Sequence, residues 1–285
     1  MTMSQHSTPP SVLFVGCGQV STEVGHHLVS AGAKVYGLRR NPSILPDTFH
    51  QVPIDLLEPV DQPLPNVDAM VITLTPSMPS VEGTSGYLVA LQHLADALPR
   101  VPDRVVFVSS TRVFEGHRAD RALTEADAVA PVSARGETLV AGEQLAIELF
   151  GAHIVRPAGI YGPGREMLLR KVLTQEPVQY ARQTNRVHQT DLARALHQML
   201  TIETPPAILH AIDQAPGVLL GDVVEYIAAR LNVAAPPMIE PAQSTGRVLN
   251  GDLLSQLLGS LTYPTYRQGY DQIIANRETK RAQQS

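Results

Sequence analysis

Val12-Leu13-Phe14-Val15-Gly16-Cys17-Gly18-Gln19-Val20-Ser21 is the stretch on which the reading of this chain turns. Four apolar residues make a buried strand. A helical pattern follows at once from Gln19 to Ala31, with Val20, Val24, His27 and Leu28 on one side. Between them lies G-x-G-x-x-G with serine in the third glycine position. The first glycine permits a tight turn, the second lets backbone approach a pyrophosphate, and the third lets helix and strand lie close. Ser21 is a small departure. The helix start offers unpaired N–H groups and partial positive charge to phosphates. A glycine pattern alone says little, but this one follows a strand and opens a helix, as a dinucleotide site requires. Gly16, Cys17, Gly18, Gln19 and Val20 are therefore the expected cradle.

Working outward, short apolar runs alternate with helical patterns. Lys34–Leu38, Gln51–Ile54, Ala69–Leu74 and Arg104–Ser109 read as strands, and Tyr87–Leu98 as a helix. A long helix over Ala134–Phe150 precedes a strand at His153–Arg156 and a loop at Pro157–Gly164. Thr190–Leu200 is helical and Ala207–Ile212 a further strand. The alternation predicts an α/β fold: a Rossmann-type, doubly wound parallel sheet of about seven strands. Helices near Leu219–Arg230, Gly251–Leu258 and Thr265–Ala282 predict a smaller C-terminal substrate lobe. The expected division is a disordered tail over 1–10, the dinucleotide domain over 11–165 and 187–213, and the lobe over 166–186 and 214–285.

The 285 residues carry a net charge of −5, which argues against nucleic acid or an anionic membrane as partner. One cysteine excludes an internal disulfide. The ten histidines show no H-E-x-x-H spacing, so no metal is expected. The polar start lacks the features of a signal peptide, and no apolar run reaches membrane-span length. A cytoplasmic protein with a small-molecule substrate, monomeric or homodimeric, is the expectation.

The end of the second strand bears on cofactor choice. An acidic residue there would bind the ribose hydroxyls of NAD, whereas arginine suits the extra phosphate of NADP. This chain has Arg39 and Arg40 and no acid, which favours NADP, with NAD second. Further cofactor contacts are expected at strand ends: Asp55, Leu56, Thr73, Leu74, Ser109 and Pro157. Asp55 fits a place near the adenine or a turn cap.

Val106 to Phe114, Arg156 to Gly164, Asn185 to Asp191 and Tyr263 to Gly269 together resemble extended short-chain dehydrogenase/reductases, which include the NAD-dependent epimerase/dehydratase family. Val106-Phe107-Val108-Ser109-Ser110-Thr111-Arg112-Val113-Phe114 is similar to the strand-five motif, and Arg156 to Gly164 to the strand-six motif. Asn185 to Asp191 resembles a segment preceding a helix in these proteins, and Tyr263 to Gly269 the last helix start of an atypical bacterial branch. The resemblance implies hydride transfer with a nicotinamide, a strand-five Ser or Thr holding the substrate oxygen, and a Tyr-x-x-x-Lys pair moving the proton. Ser110 falls at the active Ser position, with Thr111 beside it. Pro131 and Glu143 match the flanks of the tyrosine helix, but its tyrosine and lysine positions hold Arg135 and Leu139. Arginine is a poor proton carrier, so Arg135 would bind an anionic group or simply be solvated.

Other candidates each carry two readings. Tyr161 would approach the nicotinamide or pack. His188 would serve as acid/base or as a hydrogen-bonded structural residue. Arg112, Glu115 and His117 follow the serines, and Tyr180 is a substitute hydroxyl. Asp191 reads as a helix cap. Cys17 reads as an activated thiol or a small buried residue. Two functions remain open. One is an NADP-dependent epimerase, dehydratase or reductase acting on a small oxygenated substrate, such as a sugar or nucleotide sugar, with a non-standard proton donor. The other is an inert NADP(H)-binding redox-sensing or regulatory protein.

Overall fold

The computed structural model describes residues 7–118, 121–239 and 246–284. The chain runs through β1 (Ser11–Val15), α1 (Gln19–Ser30), β2 (Lys34–Leu38), β3 (His50–Val52), β4 (Ala69–Ile72), α2 (Gly86–Ala97) and β5 (Arg104–Val108). A 3₁₀ turn over Thr111–Phe114 precedes α3 (Ala134–Phe150), β6 (His153–Pro157), β7 (Gly159–Tyr161) and α4 (Met167–Leu173). Then come β8 (Gln183–Thr184), β9 (Arg186–His188), α5 (Gln189–Thr201), β10 (Ile208–Ala211) and β11 (Val218–Leu219). Helices α6 (Leu220–Leu231), α7 (Asp252–Leu258) and α8 (Tyr266–Gln284) complete it.

Seven strands form one parallel sheet in the order β10-β6-β5-β4-β1-β2-β3. The order reverses between β1 and β4, which in such sheets opens a crevice at the carboxyl ends of the strands. The fold expected from the sequence is thus observed. Val12 to Val15 are fully buried, as a strand covered on both faces must be.

The chain divides into two compact units, residues 1–116, 128–156 and 193–209 against 117–127, 157–192 and 210–285. This differs from the division read from the sequence. In the second unit β7 pairs with β9, and Leu123 bridges to Leu249, which takes residues 117–127 into that unit. The loop expected at Pro157–Gly164 contains β7, and the irregular stretch after it contains α4, β8 and β9. Strands of two or three residues carry too little pattern to be recognised from periodicity. Of the tail expected over 1–10, residues 1–6 lie outside the described residues, and Ser7 donates its N–H to the Thr201 carbonyl.

In the first unit, Leu13, Met70, Phe107 and Ile154 of the sheet pack with Leu91 and Leu94 of α2 and Ala146 and Phe150 of α3. The stripe that α1 buries is Val20, Ser21, Val24, Gly25 and Leu28. His27, expected on that side, is exposed because it lies beyond the edge of the buried arc. The second unit has its own core, with Val223, Val224 and Ile227 of α6 against Tyr270, Ile273 and Ile274 of α8.

Candidate functional site

The glycine turn is built where β1 ends. Gly16 has φ +77°, and the N–H groups of Gly16 and Cys17 both donate to the Leu38 carbonyl, at 2.9 and 3.2 Å. The Thr73 hydroxyl, just past β4, donates to the Gly16 carbonyl at 2.8 Å. Ser21 then uses its departure from glycine. It is 1% exposed, and its hydroxyl lies 3.3 Å from that of Thr73. The substitution adds a polar tie across the point where the strand order reverses.

A cavity of about 480 Å³ opens from this turn. Of the expected cofactor residues, Gly16, Cys17, Gly18, Arg39, Arg40, Asp55, Leu56, Thr73 and Leu74 line it. Asp55 lines the cavity and also accepts the Leu57 N–H at 3.1 Å, which holds a turn. Arg39 donates from Nη1 to the Cys17 carbonyl at 3.2 Å, while its Nε has no protein partner. Arg40 is exposed. Cys17 is buried, and burial pushes its thiol up to about 11 despite a hydrogen bond with Thr22 and the charge of Arg39. That matches a packed thiol rather than an activated one. Gln19, Val20 and Ser109 lie elsewhere in the first unit, and Val20 is a core residue.

Asn41, Thr75, Ser77, Met78 and Pro79 also line the cavity and were not singled out in the sequence. The signal for the last four was available: Thr75 to Pro79 is the loop leaving β4, the strand beside the reversal point.

The serine turn is also in the first unit. The Ser110 oxygen accepts the Arg112 N–H at 3.2 Å and caps the 3₁₀ turn, which leaves its own proton free to donate. Thr111 is buried. Glu115 anchors this turn to the start of α3. Its Oε1 accepts from the N–H groups of Val132 and Ser133, at 3.1 and 2.7 Å, and from the Ser133 hydroxyl at 2.5 Å. Its Oε2 faces Arg112 at 3.3 Å. Burial alone would raise this carboxyl, but the Ser133 and Val132 hydrogen bonds and Arg112 overcome it and bring the value from 4.5 to about 2. The sign follows: the folded value is depressed, so the contribution to stability is complete above about 4.5 and is lost as pH falls through about 2. Glu115→Gln should therefore flatten the loss of urea-unfolding midpoint over that range. An unchanged pH profile would refute this anchoring.

Arg135 is exposed on the first turn of α3, and Leu139 is 2% exposed. An apolar side chain thus fills the core where the family register would hold lysine.

Pro157, Tyr161 and His188 belong to the second unit. The Tyr161 hydroxyl donates to the Thr265 carbonyl at 3.3 Å, and its ring stacks on Tyr270 at 5.0 Å. Burial first, then Asp213, raises its pKa well above the usual value. His188 is fully buried, its Nδ1 accepts the Thr190 N–H at 3.3 Å, and burial lowers it to about 4. Both have the environment of packed residues. Tyr180 donates to the Pro236 carbonyl at 2.7 Å. Asp191, expected as a helix cap, sits inside the first turn of α5 rather than before it, and its carboxylate is used elsewhere. Its carboxylate accepts the N–H groups of Thr262 and Tyr263, each at 2.8 Å, and so tethers a distant loop.

With fold and cavity described, the fold is that of solved NAD-dependent epimerase/dehydratase structures, as the sequence resemblance implies. Residues 88–211 match the family model described as RmlD substrate binding domain. A putative NAD-dependent epimerase/dehydratase from Methylobacillus flagellatus is 26% identical, with a TM-score of 0.78 over 95% of this chain and 100% of that one. MoeE5 in complex with UDP-glucuronic acid and NAD is 22% identical, with a TM-score of 0.71 over 92% and 96%. The UDP-glucuronic acid 4-epimerase from Bacillus cereus in complex with NAD is 16% identical, with a TM-score of 0.68 over 91% and 96%. No curated protein matches the chain by sequence. Among the described residues, no helix is long and apolar enough to cross a membrane.

Proposed function

We propose that this protein is an NADP(H)-binding oxidoreductase of the epimerase/dehydratase/reductase type, acting on a small oxygenated substrate of the sugar or nucleotide-sugar class. The observation that carries the cofactor choice is the pair Arg39 and Arg40 on the wall of the cavity that also holds the glycine turn. The residues fit a dinucleotide. A Cβ at Gly18 would meet nothing in the protein nearer than the Gly16 carbonyl at 3.8 Å, which leaves backbone open to a pyrophosphate. Arg40 is exposed on that wall and available to a phosphate, and the half-buried Arg39 beside it adds positive charge. The MoeE5 and Bacillus cereus epimerase structures hold NAD, yet neither an aspartate nor a glutamate stands next to Arg39 in this sequence. The bound cofactor would supply hydride. Ser110 would orient the substrate oxygen with its free proton, and the proton donor would be a group other than the family tyrosine.

A second reading, binding without turnover, is favoured by Leu139 in the core and by the packed hydroxyl of Tyr161. Calorimetric titration with all four nucleotides tests the first claim. NADPH should bind about 10- to 100-fold more tightly than NADH, as one or two charge-assisted hydrogen bonds allow. Arg39→Ala/Arg40→Ala should erase the ratio. Equal affinities in the wild type would remove the NADP assignment. NADPH oxidation with a carbonyl or nucleotide-sugar panel, lost in Ser110→Ala, separates the enzyme from the binder.

A further inference from the structure

Three buried polar atoms of the first unit, one of them within an ion pair, have no protein hydrogen-bond partner. Arg156, at the end of β6, donates from Nε and Nη2 to the two carboxylate oxygens of Glu143 on α3, at 3.0 and 2.7 Å. Both side chains are almost wholly enclosed, and the guanidinium lies 5.1 Å from the ring centre of Phe114 in the serine turn. Its Nη1 has no partner. The hydroxyl of Tyr87, a fully buried residue of α2, has none either. Its ring lies 6.1 Å from Phe107 and packs so closely on Gly142 of α3 that a Cβ there would sit 2.4 Å from it. The third is the hydroxyl of Ser109, 8% exposed.

Strand register brings two of these groups together. Val108 pairs with Val155, so Ser109 and Arg156 are the next neighbours at the ends of β5 and β6. Alternation puts both on the face that carries Phe107 and Ile154, which α2 and α3 cover. Gly142 precedes Glu143, so the tyrosine and the ion pair meet the same turn of α3.

Buried polar groups in folded proteins are almost always satisfied, by protein or by ordered water. We propose that ordered internal water joins the Tyr87 hydroxyl, Arg156 Nη1 and the Ser109 hydroxyl, making Tyr87 and Arg156 positioning residues for the serine turn. The hydrogen-bond capacities match. A water accepts from the guanidinium N–H and from the phenol, and donates to the serine oxygen. Burial, and secondarily Glu143, keep the phenol protonated and able to donate.

The test turns on a sign. Tyr87→Phe and Ser109→Ala each remove one oxygen and leave the packing intact. If the hydroxyls are bridged, each change should lower the urea-unfolding midpoint, and the double variant should lie no lower than the weaker single. An unchanged or raised midpoint in Tyr87→Phe would mean that the hydroxyl has no partner, and would overturn the proposal. Additive losses in the double variant would overturn it too. A crystal structure at about 1.2 Å, where ordered solvent is well defined, should show density within hydrogen-bond reach of all three atoms. Its absence would count as refutation.

Discussion

Arg156→Met is expected to destabilise the protein by about 3–5 kcal/mol, read as a large fall in urea-unfolding midpoint. The change leaves the Glu143 carboxylate in the interior without the two hydrogen bonds that Arg156 donates to it. An uncompensated buried charge is costly, whereas the intact pair contributes little net stability. The double variant Arg156→Met/Glu143→Leu should therefore recover much of the loss. Recovery distinguishes a stranded charge from mere loss of packing against Phe114, which the double variant would not restore. If the single variant costs under about 1 kcal/mol, the range for an exposed pair, the ion pair is not enclosed as described.

The first half of the molecule was legible because its signals are local. Val12 to Val15 must be a buried strand, and Gly16 must turn, whatever the rest of the chain does. Arg39 and Arg40 could be assigned to a cavity wall because strand length fixes where the second strand ends. The less legible parts depend on tertiary partners. Nothing near Asp191 announces that Thr262 and Tyr263 will use its carboxylate. Residues 117–127 join the second unit through contacts such as the bridge at Leu123 and the Glu125 carboxylate accepting the His210 N–H, which no local pattern encodes. Ser110, read as the substrate-orienting serine, caps a turn, whereas Ser109, read as a cofactor contact, is enclosed at the end of β5 next to Arg156, a placement set by strand register rather than by local sequence. His27 shows the limit of periodicity itself, for a helical stripe predicts an arc but not its edges.

The largest functional effect should come from the glycine turn, and two variants read it differently. Gly16→Val puts a β-branched residue at φ +77° and its Cβ 3.3 Å from the backbone of Thr73. The left-handed conformation alone costs about 1–2 kcal/mol for a residue with a Cβ. The turn must shift, so nucleotide affinity should fall by about 100-fold or more, together with a lower melting temperature. Loss of both properties would not by itself locate the nucleotide. Gly18→Ala does. Gly18 has φ −110°, open to any residue, and its added Cβ meets no protein atom closer than 3.8 Å. The fold should tolerate alanine with an unchanged melting temperature. A pyrophosphate lying on that backbone would not, because the methyl group occupies the approach that the glycine keeps clear. Unchanged stability with affinity reduced about 10-fold or more is the expected result. Unchanged affinity in Gly18→Ala would move the dinucleotide away from the turn, and the roles proposed for Arg39 and Arg40 would fall with it.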